Sequence, residues 1–111
     1  MSEFDFNKVL KIVDNDKEMA VTLIQMFIDQ SKEDFTALLH SKNNNDVAGI
    51  GKMSHKMKSS LATLGMSNTA ELLKKIEFAV KAGSAIEELE NDIESASQLL
   101  EEIYIDIQNV I

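Results

Sequence analysis

Between Ile86 and Val110 the apolar residues Ile86, Leu89, Ile93, Ala96, Leu100, Ile103, Ile107 and Val110 follow one another in steps that alternate three and four without a fault. Only a helix gathers such positions on one side, because 3.6 residues complete a turn. Proline is absent and there are four glycines, so nothing in the composition interrupts long helices. No apolar run approaches the roughly 20 residues a bilayer requires. With 111 residues, 44% of them hydrophobic, one domain over residues 1–111 is the expectation.

The rest of the chain divides at polar breaks. A short first helix is expected over about Phe4 to Val13. Asp16 is placed to cap a long second helix ending near Ser41, with the stripe Ala20, Ile24, Phe27, Ser31, Phe35 and Leu38. Asn43-Asn44-Asn45-Asp46 interrupts it, and a third helix runs from about Val47 to Leu64, where Gly65 suits the left-handed position that ends a helix. Asn68 with Glu71, and Ser84 with Glu87, read as capping boxes opening the fourth and fifth helices. The expected fold is all-α: an antiparallel up-and-down four-helix bundle with a short additional N-terminal helix over one end.

Charge is unevenly spread. The chain carries a net −8, yet between Asp46 and Glu71 there is no acidic residue while Lys52, Lys56 and Lys58 fall there. An acidic body argues against nucleic-acid binding, and a local basic patch argues for one anionic partner steered to one place. The acidic start Met1-Ser2-Glu3-Phe4-Asp5 lacks the order of a signal peptide, and cysteine is absent. A cytoplasmic monomer without membrane attachment is the expectation.

His55 lies at the centre of that basic stretch. The third helix is expected to bury Val47, Ile50, Ser54, Met57, Leu61 and Leu64, which turns His55 roughly 125° away from the stripe, toward solvent. Its surface neighbours, Ala48, Gly51, Ser59 and Ala62, are all small, leaving a clearing where a second protein can dock. Gly51 inside a helix costs about 1 kcal/mol against alanine, and close approach of a partner is one reason to tolerate it. Lys52 and Lys56 read as solvated charges at the margin, and Lys58 is better placed to lie alongside His55. His55 precedes Met66 by eleven residues and Glu77 follows it by eleven, so an antiparallel hairpin sets the two at one height. A carboxylate accepting from Nδ1–H would fix the tautomer and leave Nε2 as the nucleophile. The bland alternatives are a surface histidine and a solvated glutamate.

Other chemistries find no support. Two histidines without HxxxH spacing or cysteine make no metal site, and no phosphate-binding glycine loop is present. What remains is a nucleophile without catalytic apparatus, for which a partner must supply the metal of phosphoryl transfer.

The stretch His55-Lys56-Met57-Lys58-Ser59-Ser60-Leu61-Ala62-Thr63-Leu64-Gly65 resembles the signature of histidine-containing phosphotransfer domains: His, two residues, Lys, a small pair, then Gly ten positions after the His. Phe27-Ile28, Leu72 and Ile76-Glu77 fall where that family places equivalent residues. The resemblance implies a phosphorelay intermediate, not an enzyme: His55 takes a phosphoryl group from a receiver aspartate and passes it to another, Lys58 neutralises the phosphoryl oxygens, and Glu77 orients the histidine. It implies response-regulator receiver domains and a hybrid histidine kinase as partners, no cofactor of its own, and Mg2+ on the receiver. Ser59 departs from the glycine usual after the lysine. Two alternatives stay open, a helical adaptor that binds a receiver without carrying phosphate and a phosphoacceptor domain excised from a larger kinase.

Overall fold

Three aspartates fix where the first three helices begin. Asp5 accepts from Asn7 N at 2.9 Å, Asp16 from Met19 N at 3.0 Å and Asp46 from Gly49 N at 2.9 Å, each satisfying a first-turn donor that has no carbonyl partner. The computed structural model describes residues 2–111. Its helices are α1 (Phe6–Ile12), α2 (Lys17–Asn43), α3 (Val47–Thr63), α4 (Ser67–Lys81) and α5 (Ile86–Val110), with no strand among the described residues. None is long and apolar enough to cross a membrane. Gly65, at φ 84°, ends α3 as expected: Met66 N donates to Leu61 O at 2.8 Å and Gly65 N to Ala62 O at 3.1 Å.

Helices α2 to α5 form an antiparallel bundle 43 Å long and about 20 Å across, with the α3–α4 hairpin its most extensively packed pair. The core is a continuous cluster that includes Ile24, Leu38, Ile50, Met57, Leu61, Leu73, Ile76, Ile93 and Ile103. Helix α1 lies over one end: Val9 is fully buried, and Lys8 Nζ donates to Gly65 O at 3.2 Å in the α3–α4 turn.

Several expectations need correction. Helix α4 is not opened by an Asn68–Glu71 box, for Met66 is its N-cap and makes no side-chain bond. The carboxylate of Glu3, 65 residues away, accepts from Asn68 N at 2.7 Å and from Thr69 N at 2.6 Å. A negative charge at a helix N-terminus satisfies donors and dipole together, so the N-terminal segment does what a local cap would do. Helix α5 is not opened by a Ser84–Glu87 box either: its N-cap is Ala85, which has no side-chain acceptor, and only half of a box remains, with Glu88 Oε1 accepting from Ala85 N at 3.1 Å. On α2 Asp34 is buried along with the apolar stripe, while its neighbour Phe35 is only half-buried. Val47 is half-buried and Val110 exposed.

Candidate functional site

Helix periodicity turns His55 outward, and its side chain is 62% accessible. The α3–α4 hairpin brings Glu77 to its height. Glu77 is almost wholly buried, its side chain 4% accessible, and it accepts from three groups: His55 Nδ1 to Oε2 at 2.8 Å, Lys58 Nζ to Oε1 at 2.8 Å, and Lys81 Nζ to Oε2 at 3.1 Å. A buried carboxylate is tolerable only when paired and hydrogen-bonded, and this one is. The Lys58 hydrogen bond, with those of Lys81 and His55, outweighs burial and holds the Glu77 carboxyl down at about 2. An ionised carboxylate can only accept, so the proton of this bond lies on Nδ1, and whenever the ring carries a single proton the lone pair is on Nε2.

The clearing is a hollow of about 270 Å³ lined by Ala48, Gly51, Lys52, His55, Glu77, Val80 and Lys81. Ala48, Ser59 and Ala62 are exposed around His55, and Lys52 stands at the margin. Gly51 needs a different explanation from the one its position suggested. It is buried, and a Cβ there would meet Val80 Cγ1 at 2.9 Å. The missing side chain is occupied by α4, so the glycine serves the close approach of two helices within the chain. Lys56 is likewise not simply a solvated charge, because its Nζ lies 3.1 Å from Oδ1 of the buried Asp34 and ties α3 to α2. Lys58 joins His55 indirectly, through the carboxylate they share. The hydroxyl of Ser59 turns back to its own helix, donating to His55 O at 3.4 Å.

Two participants were missed, and both had signals. Lys81 lies four residues after Glu77 on α4, the spacing at which helical side chains meet. Asp34 and Lys56 each lie eleven residues from Asn45, the same hairpin symmetry that matched His55 with Glu77. A groove between α2 and α3 was also not foreseen. Leu23, Met26, Phe27 and Leu64 give it an apolar lining, Asp29 and Glu33 contribute acid, and Ser59 connects it to His55 one turn away. Among the described residues no three histidine, aspartate or glutamate side chains converge as metal ligands.

The arrangement presents an outward imidazole, oriented from behind by a buried anion, with ammonium groups within reach. Comparison with known proteins adds two findings. A family model described as Hpt domain matches residues 22–110. The fold is similar to that of the HPT domain from the Hpt sensor hybrid histidine kinase of Shewanella, with a TM-score of 0.82 and 21% identity, over 97% of this chain and 92% of that one. No curated protein matches the sequence.

Proposed function

The chain belongs to the Hpt domain family, the phosphotransfer domains of two-component signalling, and from that premise we propose that His55 is its phosphoacceptor in a phosphorelay. The observation that carries the reading is the pairing of an exposed imidazole with a buried carboxylate at 2.8 Å on Nδ1. The Nε2 lone pair attacks the phosphorus of a receiver's aspartyl phosphate. The N–P bond forms as the P–O bond breaks, and that electron pair leaves on the aspartate carboxylate. Positive charge develops on the ring as the bond forms, and the ionised Glu77 offsets it while keeping the Nδ1 proton in place. Lys58 and Lys81, each paired with the carboxylate that also pairs with His55, supply positive charge to counter the phosphoryl oxygens. Transfer onward reverses these steps toward a second receiver aspartate.

The chain supplies nucleophile, orientation and positive charge, and leaves Mg2+ and in-line positioning to the receiver. That division makes it a phosphoryl carrier and not an autonomous catalyst. A hybrid histidine kinase is the proposed donor, and a cytoplasmic monomer the proposed form. The test is incubation with a phosphorylated receiver. Wild type should acquire acid-labile, base-stable label, and His55→Gln should acquire none. Label persisting in His55→Gln overturns the site, and a receiver that binds wild type without ever transferring label points to an adaptor instead.

A further inference from the structure

Phe78 takes no part in the chemistry just described, and its position is unusual for this chain. Of the five phenylalanines, Phe27 is buried, Phe4, Phe6 and Phe35 are half-buried, and Phe78 alone is exposed, at 51%. It follows Glu77 on α4, and its ring is linked to the His55 site through Lys58 and Lys81, whose ammonium groups pair with the carboxylate that also pairs with His55. Three ammonium groups stand around its ring: Lys74 Nζ and Lys81 Nζ each 5.5 Å from the centroid, and Lys58 Nζ at 5.9 Å. These are cation–π distances, so three ammonium groups gather around one exposed ring. Lys58 and Lys81 share one carboxylate, that of Glu77, while Lys74 has no acidic side chain within ion-pair distance among the described residues. Three positive charges therefore meet one buried negative charge, on a chain whose net charge is −8.

We propose that Phe78, with Lys74, Lys81 and Lys58 around it, is a docking anchor for an acidic surface of the receiver, flanking its phosphorylated aspartate, and that it selects among receivers. The proposal rests on His55 being the phosphoacceptor. Two observations fix the occupant. The patch has surplus positive charge, so the surface that covers it carries carboxylates. Lys58 and Lys81 belong both to the patch and to the Glu77 site, so a protein that reaches His55 also reaches Phe78. An aromatic ring central to a desolvated contact is a common hot spot, and the lysines add charge that neighbouring receivers match to different degrees. The groove on the other side of His55 carries Asp29 and Glu33. Opposite signs on the two sides of the nucleophile give the incoming partner one orientation.

The experiment measures transfer from a receiver domain that bears surface carboxylates beside its phosphoacceptor and has been phosphorylated with acetyl phosphate, over a range of receiver concentrations. Phe78→Ala and Lys74→Glu should each raise the half-saturating concentration about tenfold or more, with the maximal rate within about threefold of wild type. Lys74→Glu should also flatten the fall in transfer with added salt. Half-saturation within about twofold of wild type for both variants overturns the proposal. If wild type takes no label, the phosphoacceptor reading fails separately, and an NMR titration with the same unphosphorylated receiver decides the anchor: weakened binding of Phe78→Ala supports it, and equal binding rejects it. Sedimentation gives a further outcome, since a wild-type dimer dispersed by Phe78→Ala would assign the patch to a second copy and overturn the receiver as occupant.

Discussion

Glu77→Gln keeps the shape of the side chain and removes its charge, so it isolates what the buried carboxylate contributes. Three donors converge on Glu77, and a glutamine offers them one carbonyl oxygen and an NH2 that itself donates. At least one of Lys58, Lys81 and His55 must then lose its acceptor. The depression of the carboxyl from 4.5 to about 2 corresponds, at about 1.4 kcal/mol per unit, to an upper bound of about 3.5 kcal/mol. Lys81 is 67% accessible and His55 62%, so water screens part of this, and a loss of about 1–2 kcal/mol is expected at pH 7. The sign with pH follows from the direction of the shift. A carboxylate whose folded-state value is lowered stabilises fully above its unfolded value near 4.5, and that contribution disappears as pH falls through about 2. Urea unfolding followed by circular dichroism should therefore show a constant gap between wild type and Glu77→Gln from neutral pH to about 5.5, closing toward pH 2. Nitrogen-15 shifts of the imidazole should show a mixed tautomer in the variant where wild type holds Nδ1–H. A variant as stable as wild type at pH 7, or a gap independent of pH, would refute the reasoning.

Gly51→Ala should destabilise by about 1 kcal/mol, because overpacking against Val80 at 2.9 Å exceeds the gain in helix propensity, and adding Val80→Ala should recover part of that loss. A double-mutant cycle in urea checks the coupling, and a stabilising Gly51→Ala contradicts it. Glu3→Ala should cost about 1 kcal/mol by uncapping α4 and should speed amide exchange at Asn68 and Thr69. Unchanged exchange there would show that water replaces the carboxylate without loss. Lys58→Ala should slow phosphotransfer or shorten the lifetime of phosphohistidine while the bundle stays folded, as followed by label decay beside circular dichroism. Kinetics equal to wild type would reduce Lys58 to a structural partner of Glu77.

The helices and the outward direction of His55 were legible in the sequence because both follow from short-range periodicity. Asp16 caps α2 and Gly65 ends α3 as read, since each acts on backbone within a few residues of itself. The approach of Glu77 to His55 was legible for a related reason: a short turn between antiparallel helices fixes height by counting. The same count reaches Lys56 and Asp34, but a carboxylate on an apolar stripe is easily passed over in favour of the neighbouring Phe35.

Tertiary structure alone decided what fills the spaces between elements. Glu3 caps a helix 65 residues further on, and no periodicity connects them. Gly51 resembles a clearing for a partner in sequence and turns out to be the seat of Val80, because the distance between two helix axes is set by all the side chains that separate them. Phe78 lies beyond the core by the same logic. Spacing specifies which face of a helix a residue occupies, whereas burial depends on whether another element arrives to cover that face, and that is settled only when the whole bundle closes.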